Sequence, residues 1–363
     1  MSIPEKGSRQ FREKSVTIKD IAQYLGISAS SVSRALSDSF EIAQGTKVRV
    51  LEAAGYLGYK PNTLAQGLKN GKSRSVGVII PTIDNPFFCQ VINGIDSVTN
   101  SRGYHLIIAQ SHGFDELEVL NLKQLTFPAI DGLLISIAAE SDDLSYLKEL
   151  HDKGLPIVCF DRVTDRIGTH QVVADNYYGA YEATMCLIKA GYTKIAHITT
   201  SKNVSNMAER LQGYESALNE SHIEINTSYI KYCKREGKDP EEVKHALKEL
   251  FAESVPPEAI LTASDTITTV VLRLLHHLQY AIPQDIALIG FSNTEMADVL
   301  APSLSTIYQP GFEMGEKAAE LLIDLIKGKA VFREISKMVL RPQIFVRDSV
   351  QRKQSGNPPA DMR

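Results

Sequence analysis

The chain has 363 residues, 43% hydrophobic and 23% charged, with a net charge of -4 and four cysteines. This is globular composition, on a length that suits about two to three domains of roughly 150 residues. No apolar run reaches the ~20 residues needed to cross a bilayer, and Cys89, Cys159, Cys186 and Cys233 form no CxxC pair and imply no zinc site.

Charge is unevenly spread. Residues 1–75 hold 12 Lys and Arg against 6 Asp and Glu, a surplus of +6 that leaves -10 for the remainder. A basic head on an acidic body is what a nucleic-acid reader with a separate non-DNA module should look like.

Residues 1–15 form a polar arm, expected to be flexible, in which Arg9, Arg12 and Lys14 are placed to touch phosphate without sequence preference. The arm lacks the apolar core of a secretory signal, so the chain is expected in the cytoplasm with reduced thiols. In residues 17–36, TIKDIAQYLGISASSVSRAL, the apolar positions Ile18, Ile21, Ala22 and Leu25 repeat at helical spacing. Gly26 ends that helix, and Ser28 caps a second whose inner face is Val32, Ala35 and Leu36. The outer face, Ala29, Ser30, Ser33 and Arg34, is small, polar and singly cationic, able to enter a major groove. The pair reads as a helix-turn-helix, although an ordinary αα-corner has the same local pattern. Thr46 is expected to cap a third helix ending near Leu57. After Tyr59, Pro61 and Asn62 start a short helix, Thr63–Leu68, in a Gly- and Lys-bearing linker. Six helical residues are unstable alone, which leaves a tether or a segment that orders on docking.

From Val76 short β runs alternate with amphipathic helices, and several runs lack polar alternation, as expected of parallel strands buried on both faces. The pattern restarts after Asp175, giving two serial βα arrays, each a doubly wound lobe. One final strand region is expected over Met338–Val346, and the tail 351–363 is expected to be disordered.

Such sheets bind ligands at the carboxyl ends of their strands. The residues there are Thr82–Phe88, Asp161 and Arg162, Asn206 and Arg210, Ser264 and Asp265, Ser292 and Asn293, with Gln309 on a late crossover. Phe87 or Phe88 suits stacking on a sugar or base ring. Arg162 and Arg210 suit paired donation, and Asp161 suits acceptance from vicinal hydroxyls. Each has a plainer reading: Phe88 as core, Asp161 and Arg162 as a local ion pair, and Asp265 as an ordinary helix N-cap, the reading favoured here. No GxSxG, GxxxxGK[ST] or GxGxxG motif supports catalysis. His276–His277 lies in an apolar helical run without an HExxH frame.

Taken together, VTIKDIAQYLGIS…SVSRAL, YKPNTLAQGL, SVGVIIP…NPFF, FDR, RLQGY, DIALIGF and STIYQP resemble the LacI/GalR family of bacterial transcription regulators, over about residues 16–350. The resemblance implies a homodimer on a pseudo-palindromic operator, with Ala29, Ser30 and Arg34 at base-reading positions. Thr17, Ser28, Ser31, Ser33, Tyr59 and Asn62 match phosphate-contact positions. Leu68 matches a leucine that wedges into the minor groove, with Ala65 beside it. The body is similar to periplasmic sugar-binding proteins. Asn85, Phe87, Phe88, Asp161, Arg162, Arg210, Ser264, Ser292 and Gln309 match ligand positions there, with Asn206 and Asp265 beside them at the same strand ends.

Ser264 and Ser292 depart from the Asn and Asp common in sugar-binding relatives, which favours a modified sugar, a sugar phosphate or an acid over a simple pentose or hexose. The expected organisation is a helix-turn-helix domain at 16–60, hinge helix and linker at 61–75, and a two-lobed effector and dimerisation body at 76–350. Its first lobe takes 76–174 plus 309–336, and its second takes 175–308 plus 337–350. The expected function is an effector-controlled, non-enzymatic repressor without cofactor, metal or membrane partner. Effector binding would shift the lobes and the two linkers. A free solute-binding protein would explain the body but not the head.

Overall fold

The structure, a computed structural model, describes residues 16–59, 73–125, 130–138, 143–201, 204–328 and 335–351. The hinge positions Asn62, Ala65 and Leu68, the arm 1–15 and residues 352–363 lie outside the described residues. Two compact units divide the chain, ending and starting at Gly71 and Lys72.

The head contains α1 (Ile18–Leu25), α2 (Ala29–Leu36) and α3 (Gln44–Leu57). Its core is Ile21, Val32 and Val50, all fully buried, with Ala22, Ala35, Ala53 and Ala54 around them. Gly26 takes φ 65° between the first two helices, a left-handed turn at which a β-carbon is penalised. The third helix starts at Gln44, with Ala43 and not Thr46 at its cap.

The body begins with β1 (Ser75–Ile80), α4 (Pro86–Ser101), β2 (His105–Gln110), α5 (Asp115–Gln124), β3 (Gly132–Ile135), α6 (Ser145–Asp152), β4 (Ile157–Phe160) and β5 (His170–Ala174). It continues with α7 (Asn176–Lys189), β6 (Ile195–Thr199), α8 (Ser205–Glu220), β7 (Ile230–Tyr232), α9 (Pro240–Phe251), β8 (Ala259–Thr262), α10 (Asp265–His277) and β9 (Ala287–Phe291). It closes with β10 (Ser305–Tyr308), α11 (Gly311–Ile326), β11 (Lys337–Leu340) and β12 (Gln343–Phe345).

Two six-stranded sheets result, ordered β11-β5-β4-β3-β1-β2 and β12-β10-β9-β8-β6-β7. Among the described residues, all strand pairs are parallel except β10 with β12. The last strand region therefore differs from expectation. Residues 337–350 do not all belong to the second lobe, because Lys337–Leu340 pair with Gln171–Ala174 in the first sheet. The single expected strand is two, one per sheet, broken where Pro342 cannot donate to a ladder.

The chain thus crosses between lobes three times, after Ala174, after Tyr308 and after Leu340. In the first lobe, α11 covers the sheet and packs against α4 at closest range. A β-carbon on Gly94 would lie 2.0 Å from the Phe312 carbonyl oxygen, and one on Gly315 would lie 2.0 Å from that of Val91. Only hydrogen fits at either contact.

Candidate functional site

On the head, the sequence TIKD closes the start of α1 on itself. The Thr17 N–H and hydroxyl both donate to Asp20 Oδ2 at 2.7 Å. Ser28 Oγ accepts the Ser31 N–H at 3.1 Å and lies 2.8 Å from Ser30 Oγ and 2.9 Å from Ser31 Oγ, so it caps α2 as expected. The free face of α2 presents Ser30 and Arg34, exposed, flanked by half-buried Ala29, Ser31 and Ser33. Arg34 Nη1 donates to Glu41 Oε2 at 2.8 Å, both side chains half exposed. Tyr59 is half-buried and packs against the head core.

In the body, the second site assembles at the carboxyl ends of the strands. Asp161, just after β4, sits at φ 57°, a left-handed geometry that Asp tolerates better than most residues. It accepts Ser136 Oγ at 3.3 Å, from the end of β3, and lies 3.9 Å from Arg162 Nε. From the other lobe, Asn206 Nδ2 on α8 donates to its Oδ1 at 3.1 Å. Burial pushes the Asp161 carboxyl pKa up, and Arg162 and Arg210 oppose this. Arg210, four residues along the same helix face, is 2% exposed. Its Nε and Nη2 donate to Asn176 Oδ1 at 2.9 and 2.8 Å, its Nη1 donates to the Ala263 carbonyl, and its guanidinium lies 3.7 Å over the Phe291 ring. Burial pulls its pKa down to about 10, with Asp161 opposing.

Ser264, not Asp265, is the cap of α10, accepting the Ile267 N–H at 3.3 Å. Asp265 instead accepts Ser292 Oγ at 2.5 Å and the Asn293 N–H at 3.2 Å. Burial raises its pKa, opposed by these bonds. A carboxylate therefore stands beside Ser292 although residue 292 carries none. Asn293 bridges the lobes, donating to Gln90 Oε1 at 2.6 Å and to the Gln309 carbonyl at 2.7 Å, and accepting the Gln309 N–H at 2.9 Å. Among the described residues, Asn206 Oδ1 and Gln309 Nε2 are buried without a hydrogen-bond partner, groups that a hydroxyl-bearing ligand would satisfy.

Between the lobes lies a cavity of about 520 Å³ lined by Thr82, Asp84, Asn85, His112, Lys238 and Asp265, among others. Lys238 Nζ donates across it to the His112 carbonyl at 3.2 Å. Asn85 caps α4 through the Phe87 N–H at 2.8 Å.

Phe87 and Phe88, each 4% exposed, pack edge to face at 5.1 Å inside the first-lobe core. The plainer reading of Phe88 as core fits them both. Sequence reasoning overlooked Ser136, Gln90, Asn176, His112 and Lys238. Ser136 and Asn176 each follow a strand end by one or two residues, the same signal that picked out Asp161. Gln90 and Lys238 carry no such signal.

The LacI family model (Bacterial regulatory proteins, lacI family) matches residues 17–62, and the periplasmic binding protein-like domain model matches residues 185–350. The chain is 31% identical to the HTH-type transcriptional repressor PurR of Vibrio vulnificus, over 93% of this chain and 99% of that protein. It is also 31% identical to the ribose operon repressor of Haemophilus influenzae, over 92% and 98%. The solved complex of the transcriptional regulator CelR with cellobiose superposes with a TM-score of 0.68 at 25% identity, over 92% of this chain and 99% of that one. With a capped helix pair ahead of a two-lobed binding body, and full-length relatives that are transcriptional repressors, the chain belongs to the LacI family of bacterial regulatory proteins, which are DNA-binding and non-enzymatic.

Proposed function

We propose that the chain represses transcription in the cytoplasm by binding a two-fold operator as a homodimer, under control of a carbohydrate-derived effector held between its lobes. The observation that carries this reading is the Asp161–Asn206 bond across the cleft. A ligand there is held by both lobes at once, so its binding free energy is spent on one relative lobe position. A differential of about 1–3 kcal/mol would change operator affinity roughly 5- to 150-fold. Asp161, Arg162, Arg210, Asn206 and Gln309 offer acceptors and donors suited to vicinal hydroxyls. Asp265 supplies the acceptor that Ser292 lacks. The ribose operon repressor and the cellobiose-bound regulator among the similar proteins support a sugar-like effector.

Ala29, Ser30 and Arg34 read bases, and Thr17, Ser28, Ser31, Ser33 and Tyr59 lie near phosphate. Exposed apolar side chains support self-association: Ile107, Ile108, Phe114 and Leu120 on the first lobe are each more than a third exposed, and a groove of about 650 Å³ on the second is lined in part by Leu272, Tyr280 and Leu300. The test is a thermal-shift screen of sugars, sugar phosphates and uronates, followed by band shifts on genomic fragments with each compound that stabilises the protein. Retention of specific fragments, altered by a stabilising compound, is expected. No specific retention at moderate salt refutes the regulator reading, and retention unaffected by every stabilising compound refutes the effector reading.

A further inference from the structure

The basic surplus of residues 1–75 has a particular location. Within the described head, residues 16–59, Lys19, Arg34, Lys47 and Arg49 are balanced one for one by Asp20, Asp38, Glu41 and Glu52. The folded reader is electrically neutral, and all of the positive surplus lies in the segments on either side of it. Both cations next to the loop that follows α2 are bound by carboxylates of that loop. Arg34 Nη1 meets Glu41 Oε2 at 2.8 Å, and Lys47 Nζ meets Asp38 Oδ1 at 2.6 Å.

We infer that Glu41 is a specificity-determining residue of the DNA reader, holding the Arg34 guanidinium for a base edge and away from phosphate. The inference rests on the reading of Arg34 as a base contact. A guanidinium has five N–H donors in a fixed plane, and reading a guanine requires two of them. Glu41 makes a single contact, at one terminal nitrogen, which leaves a pair of donors for O6 and N7 while restricting the side chain's many rotamers. The carboxylate also cancels the positive charge that would otherwise draw α2 to any phosphate. Nonspecific binding is governed by the number of phosphates neutralised, so an anion on the reading face lowers affinity for random DNA. A correctly placed guanine edge, itself an acceptor, then meets donors already aligned for it. The flanking basic segments are left to supply sequence-independent attraction, and the folded head discriminates.

The experiment uses the full-length protein with Glu41→Gln, Glu41→Asp and Arg34→Ala. Each is selected against a random duplex pool and then titrated on its best site and on random duplex over a range of salt. Circular dichroism and thermal melting confirm that each variant is folded. Glu41→Gln is expected to steepen the salt slope by about 0.9 per head, about 1.8 for the dimer, and to tighten binding to random duplex by about 8-fold per head, about 60-fold for the dimer, at 0.1 M salt, the effect of one added phosphate contact in each head. It should also relax the base column that Arg34→Ala relaxes. Glu41→Asp keeps the charge but shortens the reach by one methylene, so random-duplex affinity should stay and selectivity should fall. If Arg34→Ala leaves the selected motif unchanged, the reading of Arg34 is wrong. If Arg34→Ala relaxes a column while Glu41→Gln changes neither that column nor the random-duplex affinity, the role given to Glu41 is refuted and that of Arg34 stands.

Discussion

His197 lies on β6 beneath the helix that carries Asn206 and Arg210. It is fully buried, stacked 5.1 Å from the Tyr214 ring of that helix, with Nδ1 3.2 Å from the Leu261 carbonyl oxygen. A carbonyl only accepts, so Nδ1 carries the proton in the neutral ring, and Nε2 has no partner among the described residues. Burial drives the pKa from 6.5 down to about 4, the Leu261 bond opposing and the charge of Arg210 adding. The unfolded chain takes up a proton below about pH 6.5 while the folded chain resists until about pH 4. Stability therefore falls as pH drops through that window and is restored above it. The gap of about 2.5 pH units corresponds to about 3 kcal/mol at its limit.

His197→Phe keeps the ring stack and removes the titration. The assay is urea unfolding followed by far-ultraviolet circular dichroism, since the chain has no Trp, at pH 7 and at pH 4.5. Between these values the stability difference between wild type and variant should shift by about 2 kcal/mol in favour of the variant. His170, whose pKa burial also lowers, and Asp161 and Asp265, whose pKa values burial raises, titrate in both proteins and drop out of the comparison. A stability difference that stays constant to about 0.5 kcal/mol across this range would mean that His197 protonates freely in the fold, and the argument from burial would fail.

Asp161→Asn replaces the carboxylate on which both lobes meet by an amide that keeps one accepting oxygen and turns the other position into a donor. It should abolish the thermal shift produced by whichever sugar derivative stabilises the wild type; a full shift in the variant counts against the cleft assignment. Gly315→Ala places a methyl 2.0 Å from the Val91 carbonyl oxygen. Forcing α11 from α4 should cost about 3 kcal/mol, read as a lower thermal midpoint, and an unchanged midpoint would show that the helices have room to part.

The sequence made the head and the alternation of the body legible because both are periodic. Ile18, Ile21, Ala22 and Leu25 mark one helix face without help from the rest of the chain. The strand-end rule likewise picks out Asp161, Arg210 and Asn206 from the sequence alone. What stayed hidden depends on pairing across long sequence separations. Lys337–Leu340 and Gln343–Phe345 read as one apolar run, and nothing local says that the first half joins the first sheet. β5 has no clear local signature, because HQVVA sits just where the pattern restarts. Asp265 reads as a cap from sequence, but Ser264 before it carries an equally good capping oxygen and takes that place. Only the fold brings Ser292 and Asn293 to its carboxylate. Lys238 and Gln90 meet partners 126 and 203 residues away, separations that no sequence window reports.

The three passages between lobes bear on how this protein can be divided. Neither lobe is a continuous stretch of polypeptide. A fragment ending at Ala174 would lack α11, the helix that covers its own sheet, and also β11, the edge strand beyond β5. The two halves therefore cannot be produced as separate gene products by a single cut, nor exchanged with a homologue as a simple cassette. A chimera that exchanges one lobe must transfer its two separate segments together. A protease nick at Ala174 would leave the lobes held together by the two later passages, so such a cut should be visible under denaturing conditions before native gel filtration shows any loss.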